Sequence, residues 1–228
     1  MSNSISSIDL ARYIDHTLLK SDATAKDIER LCAEAREHRF CAVGVNGSRV
    51  AQARHFLDGS GVKVSTVVGF PLGAMDSDTK RFETEAAIDN GAQEIDVVIN
   101  IGRLKDDDDN YVLRELRDVV EAADGRPVKV ILETGLLMRG EKIRACHLVL
   151  DSGAQFVKTS TGFSGGATID DVKLLREIVG PKFGVKAAGG IRDTLTALAM
   201  IEGGATRLGT SSGVAIVLGA AVSSAGGY

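Results

Sequence analysis

A single-domain (β/α)8 barrel is the fold this sequence predicts, on three observations. Short β-rich runs, several of them rich in Val and Ile, recur eight times, helical patterns fall between them, and no Pro/Gly/Ser-rich linker divides the 228 residues. A chain of that length with 44% hydrophobic residues can bury a large core and still count as one barrel domain. Residues 1–228 are therefore expected as one unit, with a glycine-rich, flexible tail at about 223–228. An open doubly wound sheet is the runner-up, which would place a ligand at a topological switch point rather than gather groups from many strand ends.

The eight runs, in order, are ARYID, CAVGV, VKVSTVVGF, QEIDVVIN, VKVILE, QFVKTS, FGVKAAGG and TRLGT. Several show little strict alternation, the pattern of strands buried on both faces of a parallel sheet. After the first run, SDATAKDIERLCAEAREH starts on cap residues and sets Ile28, Leu31, Cys32 and Ala35 on one helical face. After the sixth, TIDDVKLLREIVG carries acidic residues in its first turn, where they complement the helix dipole, and Gly180 at its end.

Composition removes several classes of function. A net charge of -4 gives no electrostatic basis for gripping a polyanion, so nucleic acid and anionic membranes are not expected partners. Three cysteines without a CxxC pair, Cys32, Cys41 and Cys146, fit a reducing compartment and read as small buried hydrophobes. The N-terminus lacks a basic region followed by an apolar stretch, and the apolar run GVAIVLGAAV is too short to span a bilayer. A cytoplasmic protein is expected.

The chemistry centres on two lysines. Lys158 in QFVKTS and Lys186 in GVKAAGG both lie inside strand-like runs, where an ammonium group costs several kcal/mol unless the site compensates. From neighbouring strands of one barrel mouth, their like charges and desolvation would favour a neutral amine in one of them. A neutral lysine attacks a carbonyl, and the resulting iminium draws electrons from an adjacent carbon–carbon bond. The competing reading leaves each lysine at a strand end with its head in water.

Asp96 falls in the middle of EIDVVIN and shares a strand face with Glu94, Val98 and Asn100 by the period of two. Paired with Lys186, it would either move protons, directly or through a water, or form a structural ion pair. Asp15 and Thr17 in YIDHTLL are expected at the end of the first strand, holding substrate hydroxyls or capping a turn.

Glycines cluster in STGFSGG, AAGGIRD and LGTSSG, after the last three strands. Backbone N–H groups of such loops can surround an anion, and the Thr210, Ser211 and Ser212 stretch leads into an apolar helix. Together they suggest a phosphate site, which barrels often build after strands seven and eight. The acidic run KDDDDNY reads as a solvated loop or helix start. The scattered histidines, His16, His38, His55 and His147, show no ligand spacing, and no GxGxxG or Walker loop is present, so neither a metal nor a cofactor is expected.

In this order, IDHTLL, EIDVVINIG, FVKTSTGF, VKAAGGIR and GTSSG resemble the signatures of the deoxyribose-phosphate aldolases, over nearly the whole chain. The resemblance implies a (β/α)8 TIM barrel and a class I, metal-independent Schiff-base lyase. Its reaction would be reversible cleavage of 2-deoxy-D-ribose 5-phosphate to D-glyceraldehyde 3-phosphate and acetaldehyde, in deoxynucleoside catabolism. It also implies roles: Lys158 forms the Schiff base, Lys186 lowers its pKa, and Asp96 belongs to the proton relay. Phosphate would be held at Gly162, Gly189, Gly190, Gly209, Ser211 and Ser212 with Arg192 nearby, while Asp15 and Thr17 lie near the substrate.

Two departures stand out. Some members carry a lysine directly after the glycine of KTSTG, where this chain has Phe163, so a weaker phosphate preference is expected. Where many members read close to AVCVNP, this chain reads AVGVNG, which leaves Gly44 without a thiol and a looser backbone at Gly47. The chain ends in Tyr228, and a terminal tyrosine in some members helps protonate the enamine carbon; a disordered terminal residue is the alternative. Expected partners are sugar-phosphate and aldehyde substrates, with a homodimer as the assembly allowed for. The alternatives are a Schiff-base barrel aldolase for another sugar phosphate and a non-catalytic sugar-phosphate-binding barrel, which would have no use for two buried lysines and an aspartate.

Overall fold

Each of the eight runs contributes a parallel strand: β1 (Ile14–Leu18), β2 (Ala42–Val45), β3 (Lys63–Val68), β4 (Glu94–Val98), β5 (Val128–Ile131), β6 (Phe156–Lys158), β7 (Gly184–Ala188) and β8 (Arg207–Thr210). In the computed structural model, which describes residues 10–219, they pair in sequence order and β8 closes on β1, making a closed barrel. The expected tail at 223–228 lies outside the described residues.

The helices among the described residues are α1 (Ala25–His38), α2 (Val50–Phe56), α3 (Ser77–Asp89), α4 (Ile101–Lys105), α5 (Asp109–Ala122), α6 (Arg139–Ser152), α7 (Ile169–Val179), α8 (Thr194–Glu202) and α9 (Gly213–Leu218). The sequence pattern explains their ends. Thr24 caps α1 by accepting from the Asp27 N–H while Asp27 accepts from the Thr24 N–H, and the buried face of α1 is Ile28, Leu31, Cys32 and Ala35. Thr168 caps α7 with Asp170 and Asp171 in the first turn. In the acidic run, Asp108 accepts from the Tyr111 N–H to start α5, so these carboxylates serve a helix start as expected.

Outward-facing strand residues such as Val43, Val64, Val97, Val130, Val157 and Val185 pack against the helices in one apolar layer. Cys32 and Cys146 lie in the same layer, where burial pushes their thiols up to about 11 and about 12. Among the described residues no helix is long and apolar enough to cross a membrane.

The first strand differs from expectation. ARYID spans residues 11–15, but the Tyr13 N–H bonds back to the Leu10 carbonyl in a turn, and extended pairing starts only at Ile14. This moves Asp15 and Thr17 from the strand end into the strand body. The shift decides what Asp15 can do.

Candidate active site

Alternation along the strands sends one set of side chains into the barrel, and that set is charged. β4 contributes Glu94 and Asp96, β5 Lys129, β6 Lys158, β7 Lys186, β8 Arg207 and β1 Asp15, and all seven are buried. Parallel register places partners beside each other: Asp96 opposite Lys129, and Lys158 opposite Lys186. Gly209 on β8 leaves the space Lys186 occupies, since a Cβ there would stand 3.1 Å from Lys186 Cε.

Asp96 is the hub. Its Oδ2 accepts from Lys158 Nζ and Lys186 Nζ, both at 2.8 Å, and its Oδ1 accepts from Lys129 Nζ at 2.6 Å and Ser65 Oγ at 3.0 Å. Lys186 also donates to Asp15 Oδ2 at 2.5 Å, and Arg207 bridges Asp15 Oδ1 at 2.6 Å and Glu94 Oε2 at 3.1 Å. Lys129 contacts Glu94 Oε2 at 2.8 Å, while half-exposed Lys63 touches Glu94 Oε1 at 3.3 Å from the solvent side.

Within the barrel Lys129, Lys158, Lys186 and Arg207 face Asp15, Glu94 and Asp96, an excess of one cation. One group must give up its proton cheaply, and the partners decide which. Lys129, Lys186 and Arg207 each touch two carboxylates, whereas Lys158 touches only Asp96. Burial lowers the Lys158 pKa to about 8, with Asp96 opposing and Lys186 and Lys129 reinforcing the fall. Burial also disfavours the charged form of Lys186, but Asp15 and Asp96 override it and raise that pKa. Lys158 is also the most accessible of the three lysines, its side chain 5% exposed against 2% for Lys186 and 0% for Lys129. The lysine that gives up its proton most readily is therefore the one that a substrate can reach.

The carboxylates remain ionised. Burial raises the pKa of Asp96, and the three lysines more than reverse this, holding it well below the usual range. Asp15 is held at about 2 by Lys186 and Arg207 against the same cost of burial. Asp15 is thus a buried member of the ion network, in the second position of β1 rather than at the strand end. Thr17, also within β1, donates its hydroxyl to the Asp15 carbonyl at 2.8 Å. Its side chain fills the space beside Gly44, where a Cβ would approach Thr17 Oγ1 to 2.9 Å, so the missing side chain at Gly44 accommodates Thr17.

Above the cluster, at the strands' C-terminal ends, lie the glycine loops. Gly162, Gly189 and Gly190 all have positive φ, and the Ala167 N–H donates to the carbonyls of Ala188 and Gly189, each at 3.1 Å, zipping the loop after β6 to the loop after β7. Glu133, buried and at φ 56, accepts from the Thr161 N–H and hydroxyl and so fixes the loop that carries Gly162 and Phe163. Gly209 lies lower, inside β8, and the Ser212 N–H is engaged by Thr210 Oγ1 at 2.9 Å. Ser211 is exposed, and Ser212 and Arg192 are half-buried on the same face. Tyr228 lies outside the described residues.

Sequence reasoning missed Lys129, Arg207, Ser65 and the clamp at Glu133. The signal for Lys129 was present, a lysine inside the strand-like run VKVILE, as Lys158 lies inside QFVKTS.

Residues 10–219 match the model of the DeoC/LacD family aldolases. A protein of Alkaliphilus oremlandii named deoxyribose-phosphate aldolase is 58% identical over 212 residues, covering 92% of this chain and 96% of that protein. Another so named, from Bdellovibrio bacteriovorus, is 57% identical over 222 residues, 97% of this chain and 100% of its own length. Among solved structures, the tetrameric deoxyribose phosphate aldolase of Aeropyrum pernix superposes with a TM-score of 0.88 at 34% identity, covering 93% of this chain and 91% of that one.

Proposed function

The chain belongs to the DeoC/LacD family of aldolases, and from that premise we propose how its buried lysines, Asp96 and glycine loops divide the work. Its reaction is the reversible cleavage of 2-deoxy-D-ribose 5-phosphate to D-glyceraldehyde 3-phosphate and acetaldehyde through a lysine Schiff base. The observation that carries this reading is the cation excess that leaves Lys158, its pKa lowered to about 8, as the accessible amine that gives up its proton most readily.

Lys158 Nζ attacks the C1 aldehyde, and loss of water gives an iminium. The C3 hydroxyl proton passes to Asp96, directly or through a water. Three lysines make this carboxylate a weak base, so the transfer is coupled to cleavage of the C2–C3 bond. Electrons of that bond flow into the iminium, glyceraldehyde 3-phosphate leaves, and the enamine takes a proton at C2. Water then hydrolyses the second iminium, releasing acetaldehyde and restoring the amine. Lys186, fixed between Asp15 and Asp96, keeps its charge and favours the neutral form of Lys158. Tyr228 is the proposed donor to C2.

Phosphate is proposed to sit at Gly162, Gly189, Gly190, Ser211 and Ser212, with Arg192 beside them and Gly209 making room below. The proposed setting is the cytoplasm and deoxynucleoside catabolism, with a homodimer as the assembly the reading allows for.

Borohydride trapping tests the mechanism. After incubation with deoxyribose 5-phosphate or acetaldehyde and reduction, the added mass is expected on the peptide holding Lys158. An adduct on Lys186 would exchange the lysine roles, and none on either would end the Schiff-base reading. The pH profile supplies a second check. Since the free enzyme must present an unprotonated lysine, kcat/KM is expected to rise about tenfold per pH unit below pH 8 and level off near it. A profile that is flat between pH 6 and 9 would contradict this.

A further inference from the structure

A cleft of about 640 Å³ opens on the same face of the barrel as the glycine loops, with Leu19, Lys20, Asp22, Asn46, Phe70 and Phe163 in its lining. Every lining residue follows a strand's C-terminal end, so the cleft belongs to the mouth above Lys158. Phe163 reaches into it from the loop after β6 and meets Phe70, from the loop after β3, edge to face with ring centroids 5.3 Å apart. The residue directly after Gly162 is thus committed to an apolar contact and brings no charge.

Lys20 lies across this cleft. It is exposed, its carbonyl accepts from the Ala23 N–H at 3.2 Å, and its side chain makes no hydrogen bond or ion pair among the described residues, so its ammonium is available to a ligand. Its backbone is anchored nearby, because Asn46 Nδ2 donates to the Leu19 carbonyl at 3.3 Å. The shared cleft sets it beside one of the proposed phosphate loops. Phe163, which lines the cleft with Lys20, directly follows Gly162 of the loop after β6. Asp22 lines the same cleft and works against an anion, so the effect of Lys20 is net of that repulsion.

We propose that Lys20 is a specificity-determining residue whose ammonium meets the phosphate of the substrate from the β1 side, supplying the charge that Phe163 does not. This rests on the aldolase reading and offsets the weaker phosphate preference expected from Phe163.

The test compares Lys20→Met and Lys20→Arg with the parent enzyme. The ratio of kcat/KM for deoxyribose 5-phosphate to that for deoxyribose is expected to fall about tenfold in Lys20→Met, mainly through KM, and to stay within threefold in Lys20→Arg. An unchanged ratio, or an equal loss on both substrates, overturns the proposal. Calorimetric titration with glycerol 3-phosphate needs no turnover: its affinity should fall about tenfold in Lys20→Met and be retained in Lys20→Arg, and equal affinity in all three proteins also overturns it. A parent that binds this probe but cleaves neither sugar would instead fail the aldolase reading, leaving the role of Lys20 to be decided by the titration.

Discussion

Replacing Lys158 with methionine is expected to lower kcat for deoxyribose 5-phosphate cleavage by at least roughly 10⁴-fold while the barrel stays folded. The two effects have one origin. Methionine keeps the length of the side chain but has no amine, so no iminium forms and no electron sink remains. Asp96 keeps Lys129 and Lys186, and the three remaining cations balance Asp15, Glu94 and Asp96, so no carboxylate is left uncompensated. Steady-state turnover and a urea melt of the same preparation check both. Turnover within a hundredfold of the parent would remove Lys158 from its role.

The melt also carries a pH signature. In the native protein Lys158 loses its proton near pH 8, and in the unfolded chain near 10.5, so between those values the unfolded state binds more protons. Stability of the parent should therefore gain on the order of a few kcal/mol from this site as pH rises through that window. The Lys158→Met protein should lack the increment.

How the lysines became legible, and why their neighbours did not, follows from what a strand pattern can report. A lysine inside a Val-rich run signals an inward-facing amine, and Lys158 and Lys186 were found this way. The same pattern also describes Lys63 in VKVS, which sits at the start of β3 and remains half exposed at the foot of the barrel. Period two gives the face but not the depth, and depth depends on register with strands far away in sequence. Lys129 and Arg207 are assigned by contacts across 33 and 192 positions, to Asp96 and Asp15, which no local pattern encodes. The misplaced start of β1 had the same cause, since the turn bond from Tyr13 to Leu10 is invisible in composition. Asp96 itself was legible because a lone carboxylate among Ile and Val has few explanations.

Lys129 therefore offers the sharper test of how the barrel neutralises Lys158. It has no path to the substrate, its side chain being fully buried against Asp96 and Glu94, yet its charge is part of the excess that lowers the Lys158 pKa. In Lys129→Met the cations and carboxylates of the interior become equal in number, so Lys158 holds its proton to higher pH. The rising limb of kcat/KM should then move above pH 8, and activity at pH 7 should fall by roughly a further tenfold. Asp96 also loses one of three lysine partners and Glu94 loses its closest cation, which is expected to cost about 3 kcal/mol of stability. A purely structural role predicts the stability loss without movement of the pH limb. If the limb stays at pH 8 while the protein is destabilised, charge excess does not set the Lys158 pKa, and desolvation with Lys186 alone must account for it.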